Sequence, residues 1–141
     1  MDPVILAEKL ESLRRCVERV ETKRPASAKA LRENADLQDI LTLNLTRAVQ
    51  LCVDIASHVL TDTKRAAPET MGEAFDLLAA EGVISDSLRA RMRAAVGFRN
   101  VAVHSYQAID WDIVHAIAQD GVVDFRSFAA AVASLLPESQ R

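Results

Sequence analysis

The sequence is short of the residues that make sheets and cross-links. It has four glycines and four prolines in 141 residues, too few turn-formers for the repeated tight turns of an all-β chain. Aromatic residues make up 4 % of it, and Ala, Leu and Val dominate instead. The two cysteines, Cys16 and Cys52, lie far apart, and no basic-then-apolar leader follows Met1-Asp2-Pro3. A reduced cytoplasm is the expected setting, with both thiols acting as small core residues. No apolar run approaches the length that spans a bilayer, so no membrane contact is expected. The three His and two Cys lack zinc-like spacing, and neither a metal nor another cofactor is expected. There is no Gly-rich phosphate loop and no serine nucleophile elbow. A formal net charge of -3 gives no bulk attraction to nucleic acid, so any such contact needs a local basic patch.

What is present is apolar surface at helical spacing. Half of the residues are hydrophobic, enough for one globular domain over residues 1–141 with a polar tail from about residue 137. The expected fold is all-α, an up-and-down antiparallel bundle of four to five helices. Asp2-Pro3 reads as a cap and first helical residue, and Leu6, Leu10, Leu13, Val17 and Val20 form an apolar stripe through about residue 22. Pro25 ends it, and residues 24–35 read as a connection with some helix. A second helix is expected over 36–60, with Leu37, Leu41, Leu45, Ala48, Cys52, Ile55 and Val59 on one face. Asn44 points into that face and needs a partner there. Arg47, Asp54 and His58 fall on its flank, either as a solvated edge or as a polar line on the wall of a site. Pro68 opens a third helix over 68–81, and Gly82 stops it. Ser85 or Asp86 caps a fourth. Asp110 caps a fifth, from Trp111 to about 136, with Gly121 as a possible kink and His115 in a structural role.

The fourth helix carries the chemistry-bearing stretch, Arg99-Asn100-Val101-Ala102-Val103-His104-Ser105-Tyr106. A permanent cation, an imidazole and a phenol fall within eight residues. Arginine offers a planar fork of donors suited to phosphate, and histidine moves protons near neutral pH. Together they suit phosphodiester cleavage. The bare pattern also suits an ion-paired arginine and a helix-end histidine. Leu88, Met92, Ala95 and Val96 make the buried stripe, and helical counting puts Arg99 on that same inward side. An arginine there is costly unless it is paired or faces a cleft or a partner. Arg89, Arg91 and Arg93 precede it, either as ordinary solvated charges or as a phosphate-attracting patch.

The run Phe98-Arg99-Asn100-Val101-Ala102-Val103-His104-Ser105-Tyr106, with Ile109-Asp110 opening a last long helix, resembles the HEPN superfamily, and within it the HepT-type toxins. The shared pattern is Arg, four residues, His, any residue, Tyr. Leu51-Cys52-Val53-Asp54-Ile55-Ala56-Ser57-His58 is similar to the family's second-helix signature, an Asp before an Ile-Ala pair. The likeness runs from the first helix to residue 136.

The resemblance implies a homodimer with two motifs facing across a cleft, and metal-independent endoribonuclease activity on RNA. It implies an antitoxin partner of minimal nucleotidyltransferase fold that transfers AMP from ATP onto the motif tyrosine, here Tyr106. Arg99 and His104 are then the catalytic pair. Asn100, Arg47 and Asp54 are candidates for substrate contact, Asp54 also for orienting His104 or Arg99. DNA is not an expected partner. Two other readings stay open: a non-catalytic HEPN module that binds a nucleotidyltransferase and its nucleotide or substrate, and a helical bundle with no site.

Overall fold

Every α-helix of this protein begins at a side-chain cap. Asp2, Ser27, Asn34, Thr70, Ser85 and Asp110 each accept a hydrogen bond from a backbone N–H of the first turn, which satisfies donors that have no partner inside the helix. The computed structural model describes all residues from 1 to 141. It contains α1 (Pro3–Lys23), α2 (Ala28–Arg32), α3 (Ala35–Leu60), α4 (Met71–Ala80), α5 (Asp86–His104) and α6 (Trp111–Ala133), with 3-10 turns at Tyr106–Ala108 and Glu138–Gln140. The expected all-helical bundle is the fold observed. No helix is long and apolar enough to cross a membrane.

The helix count is six rather than four to five, because Ala28–Arg32 closes one helical turn inside the stretch read as a connection. Ser27 supplies its cap, accepting from Ala30 N–H at 3.1 Å. α4 starts at Met71, not at Pro68. Thr70 and Glu73 have the spacing of a capping box, and Thr70 Oγ1 accepts from Glu73 N–H at 3.1 Å. That cap fixes the start three residues later than proline alone suggests. α6 runs unbroken through Gly121. The tail is not loose: Arg141 Nε donates to Leu136 O at 2.9 Å and folds the terminal turn against α1.

α3 is the axis of the bundle and touches each of the other five helices. Leu41, Leu45, Ala48, Val49, Cys52, Ile55 and Ala56 are all buried along it. Phe75 of α4 and Phe128 of α6 close the far side edge to face, with centroids 5.7 Å apart; burying each ring contributes about 1.5–3 kcal/mol. Cys16 and Cys52 are buried and free, and burial pushes both thiols up. Asn44 differs from expectation. It is half-buried, and its Nδ2 donates to Ile40 O of its own helix at 2.8 Å. The buried polar side chain of α3 is Thr42, whose hydroxyl has no hydrogen-bond partner.

Gly82 ends α4 as expected. Its φ is +76°, and the next residue closes the turn with Val83 N–H on Leu78 O at 3.0 Å. An added Cβ would meet nothing within 4 Å, so only backbone preference is at stake. Gly82→Ala should therefore lower stability by about 1 kcal/mol. Urea unfolding followed by helical circular dichroism checks this; an unchanged midpoint would show that the turn relaxes.

Candidate active site

The two halves of α5 differ in what holds their arginines. In the first half, Arg89 pairs with Asp76 at 3.3 Å, Arg93 with Asp76 at 2.6 Å and Arg91 with Asp124 at 2.7 Å. Gly72 makes room for this. A Cβ there would sit 2.8 Å from the Arg93 guanidinium, which lies over α4 to reach Asp76. The three arginines that precede the motif are thus neutralised by carboxylates on α4 and α6. The phosphate-attracting patch open from sequence is not free to act as one.

Arg99 has no such partner. It fills the stripe position between buried Val96 and Ala102 and is half-buried, with no carboxylate paired to it. Its stem lies on the inward side and its head reaches the rim, the usual compromise for a long cation. Its NH1 donates to Asn100 Oδ1 at 3.3 Å. Asn100 and His104 are four residues apart and share the other, exposed face of the helix. Arg99 and His104 are five apart, which separates them by about 140° around the axis. One chain alone therefore does not aim both groups at the same point on its surface.

His104 is the last residue of α5, exposed and without a hydrogen-bond partner. Ser105 then breaks the helix with φ -143° and ψ 53°, its N–H still bonded to Val101 O at 2.9 Å. The 3-10 turn Tyr106–Ala108 follows, and Asp110 starts α6 by accepting from Asp112 N–H at 2.9 Å. His104 and Tyr106 thus sit at a corner between two capped helices, which fixes their backbone while leaving the side chains open.

Tyr106 is 45 % exposed. Its O–H donates to Asp39 Oδ1 on α3 at 3.2 Å. Its ring meets Trp111 edge to face, centroids 6.2 Å apart. Burial, then the hydrogen bond and charge of Asp39, push the phenol above its ordinary range. Asp39 is the residue at this corner that sequence reading missed. It lies 67 positions from Tyr106, and no local pattern marks it.

Two of the second-helix side chains, Asp54 and His58, are engaged locally. Asp54 accepts from Gln50 Nε2 at 2.9 Å, and His58 Nε2 accepts from Asp2 N–H at 3.0 Å. Arg47 is exposed, close enough to Cys16 on α1 for its charge to favour the thiolate. No hydrogen bond or ion pair joins Arg47 or Asp54 to Arg99 or His104. His115 Nε2 lies 3.2 Å from Pro25 O, which fits its structural reading. The apolar groove between α5 and α6, about 270 Å³ and lined by Ala94, Ala95, Ile117 and Phe125, includes no residue of the motif.

The six-helix bundle thus carries Arg99, Asn100 and His104 on the last two turns of α5 and Tyr106 in the 3-10 turn that follows. The chain belongs to the ribonuclease HepT-like family, whose model matches residues 7–132. The enzyme class that the resemblance implies, a ribonuclease, is the class of this family. The chain is similar to the mRNA nuclease HepT of Shewanella oneidensis, 32 % identical over 124 residues, covering 88 % of this chain and 92 % of that one. It is 27 % identical over 110 residues to the tRNA nuclease HepT of Aphanizomenon flos-aquae, covering 78 % and 75 %. The fold matches the tri-AMPylated Shewanella oneidensis HEPN toxin, solved in complex with its MNT antitoxin, with a TM-score of 0.87 at 30 % identity, over 95 % of this chain and 99 % of that one.

Proposed function

We propose that this chain is the metal-independent endoribonuclease toxin of a toxin–antitoxin pair. The observation that carries the reading is Arg99. In a chain of net charge -3, every other arginine of α5 is bound to a carboxylate, and this one, within the motif, is left without one. An unpaired, half-buried guanidinium is a resting place for an external anion.

The reaction is attack of an RNA 2′-hydroxyl on the adjacent phosphorus. His104 moves the proton, and Arg99 holds the phosphate and steadies the charge that builds on it. Asn100 positions the guanidinium through its Oδ1. The working unit is a homodimer. The divergence of Arg99 and His104 around α5 supports this, since a second motif facing the first brings an arginine of one copy toward a histidine of the other. Val101 and Val103 are exposed beside the motif and are the apolar surface such an interface would cover. Arg47 and Asp54 remain candidates for RNA contact along the outer wall.

The partner is a minimal nucleotidyltransferase antitoxin that transfers AMP from ATP to Tyr106. The AMPylated state and MNT partner of the similar Shewanella toxin support this. AMP on Tyr106 adds bulk and a negative phosphate at the motif corner, which blocks the cleft and repels an incoming RNA phosphate.

The test is cleavage of mixed RNA by purified protein in excess EDTA. The expected result is cleavage that leaves cyclic-phosphate ends. Activity that appears only on adding magnesium would overturn the metal-free mechanism.

A further inference from the structure

We propose that Asp39 is the proton acceptor for nucleotide transfer to Tyr106, so that the modified protein supplies the base for its own modification. This rests on the reading of Tyr106 as the AMP acceptor. Asp39 Oδ1 lies 3.2 Å from the phenolic oxygen and accepts its proton. That oxygen is the atom that must bond to phosphorus. General-base catalysis needs a base within hydrogen-bond reach of the proton it removes, and this distance meets the requirement.

Asp39 is also free to act. It is exposed, and no lysine, arginine or histidine forms an ion pair with it. The other carboxylates of this corner are occupied: Asp110 caps α6, and Asp112 pairs with Arg32. His104, two residues before Tyr106, makes no hydrogen bond to it. Trp111 packs edge-on to the ring at 6.2 Å, and Asp39 stands on the 26-residue axis helix, so both partners of the contact are held from their own side.

The phenol needs such help. Burial and the Asp39 charge hold its proton on more firmly than in free tyrosine, so phenolate is scarce at neutral pH. The proton has to leave as the oxygen attacks. In the step, the phenolic oxygen forms a bond to the α-phosphorus of a nucleoside triphosphate. The bond from that phosphorus to the oxygen bridging to the β-phosphate breaks, and pyrophosphate leaves with the electron pair. The phenolic proton passes to Asp39 and from there to water. The product phosphodiester has no proton to offer and carries a negative charge. Asp39 then repels what it had held, and the modified ring leaves α3.

Asp39→Asn keeps the size and the accepting oxygen but cannot take the proton. With purified nucleotidyltransferase antitoxin and ATP, and intact mass as the readout, the initial rate of AMP gain should fall on the order of a hundredfold. KM for ATP and for the toxin should hold, and Asp39→Glu should recover part of the rate. Thermal unfolding of each variant serves as the fold control. Modification of Asp39→Asn at the wild-type rate would overturn the proposal and send the proton to a base of the transferase. A raised KM for the toxin with unchanged kcat would overturn it too, making Asp39 a docking contact. Wild-type protein that gains no AMP would remove the Tyr106 reading and this inference together.

Discussion

His104→Ala should abolish RNA cleavage while leaving the bundle intact. The proton-moving role is worth about 10²–10⁴ in rate, or roughly 3–5 kcal/mol of barrier. Nothing in the fold offsets that loss, since no other titratable side chain lies on the exposed face of the last turn of α5. The structural cost is small. His104 is exposed, makes no hydrogen bond and ends a helix in which alanine is the better helix former. The melting temperature should therefore stay close to that of wild type. Single-turnover cleavage and thermal unfolding on the same preparation separate the two effects. An active variant would leave Arg99 without its acid–base partner and sink the mechanism. An inactive variant with a collapsed fold would make His104 a structural residue instead.

Tyr106→Phe should remain toxic when the antitoxin and ATP are present. Phenylalanine preserves the edge-to-face packing on Trp111 and removes only the phenolic oxygen, the proposed acceptor. The lost hydrogen bond to Asp39 spans 3.2 Å at a half-exposed site, so the stability cost lies at the low end of about 0.5–1.5 kcal/mol. Growth of cells expressing both proteins reads the outcome, with intact mass as a check. A silenced variant that carries AMP would place the acceptor elsewhere. A silenced variant without AMP would mean that the antitoxin acts by binding alone.

Much of this structure was legible because its signals are local. Asp2, Ser85 and Asp110 announce their helices within four residues, and Gly82 supplies the one positive φ of the chain. The stripe of α3 repeats over 26 residues, long enough for periodicity to decide. α2 was not legible as a separate helix, since its five residues are too few to show a period. The start of α4 was misplaced because Pro68 and Thr70 compete, and the cap with its bonded N–H wins. For the site, the motif arginine was correctly put on the inward side. What sequence could not reach was pairing between elements. Arg89, Arg91 and Arg93 look available until Asp76 and Asp124 arrive from α4 and α6. Asp39 looks like one more surface acid until the fold brings Tyr106 to it.

The contact between Tyr106 and Trp111 has a further consequence, because the chain holds one tyrosine and one tryptophan. At 6.2 Å, light absorbed by the phenol is handed to the indole beside it. Anything attached to the phenolic oxygen alters both what the donor absorbs and how it faces the acceptor. The emission spectrum of the unlabelled protein is thus an optical record of whether the phenolic oxygen of Tyr106 is free or substituted, readable in real time.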